Sequence, residues 1–150
     1  MKTLISLFCI VVAAPVMAQG SAADLRVNGS RLNETMQHMH TFGKNEEGGS
    51  NRVAYSDHNH AAYSYLSSLM LEAGLMARVD VAGNLVGTRP GKIDGLAPIV
   101  TGSHIDTVPN GGHYDGIVGA MSAIEVARTL HEAGIELDHP LEVVIWSNEE

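Results

Sequence analysis

The stretch Pro98-Ile-Val-Thr-Gly-Ser-His104-Ile-Asp106-Thr107 leads into Gly111-Gly-His-Tyr-Asp115-Gly116, and Leu141-Glu-Val-Val-Ile-Trp146-Ser-Asn-Glu149-Glu150 closes the chain. Residues 98–102 make a short apolar run, 117–133 a strongly apolar helical pattern stopped by Gly134, and 141–146 a second run suited to a strand. Strand, helix and strand in that order predict a β-α-β unit with a parallel strand pair. A right-handed crossover brings both strand ends to one sheet edge, where open α/β sheets build their sites.

Upstream, the pattern alternates in the same way. Residues 30–40 predict a first helix capped by Ser30, and 43–51 a Gly-rich polar loop. Ala61, Ala62, Tyr65, Leu66, Leu69, Met70 and Ala73 recur every three or four residues, which predicts a helix from Ser56 or Asp57 to Ala73, stopped by Gly74. Residues 78–81 and 85–88 flank Gly83-Asn84 and predict a short hairpin. The fold class is therefore α/β, with a mixed, largely parallel sheet flanked by helices.

Composition bounds the function. In 150 residues, 45% hydrophobic content supports one ordinary core, and a net charge of -8 argues against nucleic acid or an anionic membrane as partner. Lys2, the apolar stretch 4–14 and Val16-Met17-Ala18 before Gln19 resemble a cleavable export signal over residues 1–18, cut after Ala18, and too short for a stable membrane anchor. This implies a periplasmic or secreted protein. The single cysteine, Cys9, falls inside the signal, so residues 19–150 hold a metal only through His, Asp and Glu.

Five residues carry the candidate chemistry. His104 and Asp106, two apart at a strand end, project to one side if extended geometry continues, so that His104 ligates a metal while Asp106 backs its imidazole. Asp115 lies in a glycine-flanked turn before a helix, placed to bridge two cations or simply to cap that helix. Glu149 and Glu150 follow a strand. On an extended segment they point to opposite sides, so that one binds metal and the other takes a proton from an activated water, unless they are a solvated acidic turn. Their coincidence on one edge favours a site. Met36-Gln-His38-Met39-His40 looks like a metal tract, but on a helix residues two apart do not share a face.

Gly102-Ser-His104-Ile-Asp106-Thr107, Asn110-Gly-Gly-His-Tyr-Asp115-Gly116 and Trp146-Ser-Asn-Glu149-Glu150 resemble the motifs of the amidase, hydantoinase and carbamoylase branch of the M20 metallopeptidases. Arg26-Val27-Asn28-Gly29, Ala73-Gly74-Leu75 and Val79-Asp80-Val81-Ala82-Gly83-Asn84-Leu85 extend the resemblance upstream. The short gap from His104 to Asp115 is similar to this branch, whereas the peptidase branches place the bridging Asp further on. The resemblance implies two divalent metal ions, with His104 on one, Asp115 bridging, Glu150 on the second, Glu149 as general base and Asp106 orienting His104. Zinc suits these donors, and manganese, cobalt or nickel fits the same set. It also implies hydrolysis of linear amides such as N-carbamoyl-L-amino acids or ureido compounds by a metal-activated water, with an M20-type aminoacylase, dipeptidase or carboxypeptidase as the alternative. A non-catalytic periplasmic binding module is the reading of another class.

Two further His ligands, a smaller dimerisation or lid domain and a homodimer are implied by the family and lie beyond this sequence. Residues 19–150 then form the N-terminal portion of a catalytic domain, expected to be inactive alone. His113 and the acidic, Gly-rich loop 44–51 depart from the family pattern.

Overall fold

The computed structural model describes residues 24–150, so the expected export signal at 1–18 lies outside the described residues. The elements are α1 (Gly29–Met39), α2 (Asp57–Glu72), β1 (Met76–Val79), β2 (Leu85–Arg89), β3 (Ile99–His104), α3 (Ile117–Glu132) and β4 (Leu141–Trp146). The strands form a mixed sheet in the order β1-β2-β4-β3. No helix among the described residues is long and apolar enough to cross a membrane.

The β-α-β unit is present, with β3 parallel to β4 and His104 opposite Trp146. The remaining pairs, β1 with β2 and β2 with β4, are antiparallel. Parallel character is thus confined to the crossover pair, because β1 and β2 enter the sheet as a hairpin that needs no crossover. At the hairpin turn, Asp80 Oδ1 accepts the N–H groups of Ala82 at 2.9 Å and Asn84 at 3.0 Å. That local trap holds Asn84 where its side chain meets the segment leaving β4.

Helices α2 and α3 share one face of the sheet, burying Leu66 and Met70 from α2 and Ile117, Met121 and Ile124 from α3 against Leu85, Val143 and Ile145. Each such side chain removed from water contributes about 1.5–3 kcal/mol, so this face holds the layers together. Ser56 caps α2 as expected, its hydroxyl accepting the Asn59 N–H at 3.2 Å. The cap of α1 is Asn28 instead of Ser30: its Oδ1 accepts the Arg31 N–H at 3.1 Å, while its own N–H is drawn to Glu125 Oε1 at 2.9 Å. A contact 97 residues away selects the start of that helix.

Candidate metal centre

Three chain segments meet beyond the ends of β3 and β4. His104 is the last residue of β3, Asp115 stands in the turn entering α3, and Glu149 and Glu150 follow β4. One ligand atom each from His104, Asp115 and Glu150 lies within 4.8 Å of the others. His104 is buried, whereas Asp115 and Glu150 are exposed. A cation at their centre would therefore have one ordered imidazole behind it and two carboxylates reachable from solvent.

The imidazole is oriented from one side. His104 Nδ1 lies 3.2 Å from the Asp106 backbone carbonyl and 3.7 Å from its Oδ1. A carbonyl only accepts, so this contact puts the proton on Nδ1 and leaves the Nε2 lone pair for a cation. Glu149 Oε2 lies 3.5 Å from that Nε2. Asp106 is 2% exposed; its Oδ2 accepts the Glu150 N–H at 3.3 Å, and its Oδ1 is enclosed without a hydrogen-bond partner. An enclosed carboxylate oxygen beside an imidazole suits a ring that gains positive character on binding a cation. The donor set is one nitrogen and hard carboxylate oxygens, so it fits a divalent metal such as zinc or manganese.

Asp115 is not a helix cap. The N-cap position of α3 is Gly116, at φ +64°, and no side chain caps the helix. Gly116 is required twice over, since a Cβ there would meet the His104 carbonyl oxygen at 2.5 Å and its ring at 2.7 Å. The Asp115 carboxylate is left for the cluster.

The extended geometry expected through Glu149 and Glu150 ends at Trp146. Asn148 adopts φ +58°, and Ser147 N–H donates to Asn84 Oδ1 at 3.0 Å. The resulting turn brings both carboxylates to one side, against the alternation a strand would impose. Asn tolerates this left-handed conformation better than most residues.

Arg52 is the structural residue that sequence reasoning missed. It is 1% exposed, and its guanidinium donates to the carbonyls of Ile105 at 2.6 Å, Met39 at 3.0 Å and Phe42 at 2.9 Å, and to Ser50 Oγ at 3.3 Å. Burial pulls its pKa down to about 10, with the Asp106 carboxylate acting in the opposite direction. Ile105 separates His104 from Asp106, so the fork fixes the backbone between them. The loop 44–51 gains a role in the same way: Ser50 and Gly111 exchange N–H···O bonds at 3.0 and 2.9 Å, and Asn51 Oδ1 accepts the Asn110 N–H at 2.7 Å. The loop braces the turn that carries Asp115. An isolated Arg after a polar loop has no periodicity that would mark it as buried.

The other histidines do not form a tract. His38 packs on Phe42 and Tyr65, while His40 packs edge-on against His113 at 4.0 Å between ring centroids. Met39, between them, is fully buried. Burial, then the neighbouring His113, lowers the His40 pKa. His131 and His139 are exposed.

The fold and the cluster define a mixed α/β domain with a His, Asp and Glu group at the carboxyl ends of a parallel strand pair. Residues 100–150 match the family model described as peptidase family M20/M25/M40. The chain is 39% identical over 125 residues to an N-carbamoyl-L-amino-acid amidohydrolase of Rhizobium meliloti, covering 83% of this chain and 30% of the relative. It is 34% identical over 131 residues to a ureidoglycolate hydrolase of Oryza sativa subsp. japonica, covering 87% and 27%. A crystal structure of a hydantoinase/carbamoylase family amidase from Burkholderia ambifaria superposes with TM-score 0.81 at 40% identity, covering 84% of this chain and 31% of that one. Over the stretch it covers, the chain is an M20-family sequence of the hydantoinase/carbamoylase amidase branch. It spans about 30% of the length of the curated relatives first matched.

Proposed function

We propose that the chain supplies the N-terminal part of the catalytic domain of an exported, metal-dependent amidase that cleaves the linear C–N bond of N-carbamoyl-L-amino acids or related ureido compounds. The observation that carries this reading is the convergence of His104, Asp115 and Glu150 from three separate segments, with Glu149 beside them. The relatives, which are named for hydrolysis of carbamoyl and ureido compounds, support the substrate class.

In this reading His104 Nε2, Asp115 and Glu150 would hold the divalent metal. A divalent cation there supplies Lewis acidity, which polarises a carbonyl and lowers the pKa of water. Glu149 takes a proton from the attacking water and returns it to the leaving nitrogen, so one carboxylate serves as base and then as acid. Asp106 orients His104 and holds the Glu150 backbone. The two remaining His ligands, the smaller domain and a homodimer interface are supplied by sequence beyond residue 150, and residues 19–150 alone are inactive. Export follows from the signal-like residues 1–18.

The test is metal content paired with ammonia release from a panel of N-carbamoyl-L-amino acids, using the protein at the full length of its relatives. A dinuclear metal content, with turnover lost and metal retained in Glu149→Gln, is the expected result. Metal without carbamoyl turnover, or no metal at all, overturns the assignment.

A further inference from the structure

At the sheet edge opposite the metal cluster, Arg89 closes β2 and pairs with Leu141 at the start of β4. Because β4 runs from Leu141 to Trp146, the two edges lie roughly 16 Å apart. Arg89, Lys92, His131, Ile135 and Glu136 line an open cleft of about 420 Å³ here, within the size range of small-molecule sites.

The Arg89 side chain makes no hydrogen bond to any described residue, and its Nη2 is enclosed without a partner. Guanidinium groups are rarely left so, because a buried donor without an acceptor forfeits its hydration. Several acceptors of the segments around this cleft are taken within the chain. The last turn of α3 is closed by its own chain, with Ile135 N–H on the Leu130 carbonyl at 2.9 Å and Gly134 N–H on the His131 carbonyl at 3.0 Å. Asp138 is paired with Lys92 at 2.9 Å. Glu136 lies in the same cleft and attracts Arg89 at longer range, yet the two form no ion pair.

We propose that this cleft is a binding site for a small oxyanion, a carboxylate- or phosphate-bearing molecule. The Arg89 fork is the recognition element, Lys92 and His131 stand on the same wall, and Ile135 provides an apolar side. A planar guanidinium matches both anion types in a two-point contact. Glu136 opposes the anion and sets the affinity low. The site shares no residue with the metal cluster, so it stands whether or not the amidase reading holds.

The experiment is calorimetric titration of the full, chelator-treated chain with inorganic phosphate and, separately, with succinate, at constant ionic strength. Saturable binding of at least one probe is expected, and the stronger of the two separates phosphate from carboxylate recognition. Arg89→Met should weaken it by about tenfold or more, and Glu136→Gln should tighten it several-fold. Because Arg89→Met removes a partly buried side chain and can fail to fold, Glu136→Gln serves as the independent arm. Wild-type titrations that do not saturate, or an unchanged Kd in Glu136→Gln, overturn the proposal.

Discussion

The carboxylate of Asp106 joins two strand ends: its Oδ2 accepts the Glu150 N–H at 3.3 Å while its Oδ1 stands 3.7 Å from His104 Nδ1. One buried side chain thus sets the imidazole and the acidic turn relative to each other. Asp106→Asn preserves the shape, but it removes the charge facing the ring and can turn an amide donor towards the Glu150 N–H. Orienting groups of this kind change metal affinity by roughly 10–100-fold. Zinc titration should show a loss in that range with an unchanged far-UV spectrum, and an unaltered affinity would remove Asp106 from the positioning role.

The Gly116 backbone packs closely against that ring. Gly116→Ala meets two costs, a left-handed conformation worth about 1–2 kcal/mol and a Cβ against the His104 ring. The expected result is a lower urea midpoint at unchanged slope, together with weaker zinc binding because His104 must shift. A midpoint equal to wild type would mean that the turn rearranges freely and does not define the cluster.

Arg52 holds the backbone between His104 and Asp106 from beneath. Arg52→Met fills the space but leaves the Ile105, Met39 and Phe42 carbonyls without the donor they now share. The Met39 carbonyl keeps the Phe42 N–H at 3.3 Å and the Phe42 carbonyl keeps the Ser50 hydroxyl at 3.3 Å, so the Ile105 carbonyl is the one left unpaired, and a loss of about 1–3 kcal/mol is expected by denaturant unfolding. Arg52→Lys should rescue only part of this, since an ammonium cannot reproduce the fork. Full rescue by lysine would show that charge alone matters at this position.

The β-α-β unit and the five polar residues at its edge were legible because each rests on a local signal. Apolar runs mark β3 and β4, Gly134 stops α3, and Asp115 stands among glycines. The α2 helix was legible for the same reason, from its spacing and the Ser56 cap. What local patterns do not carry is contact between distant segments. Asn28 caps α1 because Glu125 draws its N–H, Arg52 is buried because Ile105 offers a carbonyl, and β2 joins β4 through a pairing that neither run encodes. The turn at Asn148 belongs with these, since Asn84 and Asp106 hold it from two sides.

The contact of α1 with α3 yields a pH prediction. Arg31 meets Glu125 through Nε at 2.8 Å and Nη2 at 2.8 Å, and the Asn28 N–H adds a third donor to that carboxylate. Burial works to raise the Glu125 pKa, but these donors together hold it below its ordinary value of 4.5. The native state therefore binds this proton less readily than the unfolded chain. By linkage, the pair stabilises the fold above the ordinary glutamate range, and that contribution is lost as pH falls below 4.5 through the depressed folded value. Glu125→Gln should cost about 2 kcal/mol at neutral pH, the scale of hydrogen bonds to a charged group. The wild-type and variant urea midpoints should draw together as the pH is lowered through the acid range. Curves that stay parallel would assign the acid sensitivity to other carboxylates, and leave the Arg31 contact as packing alone.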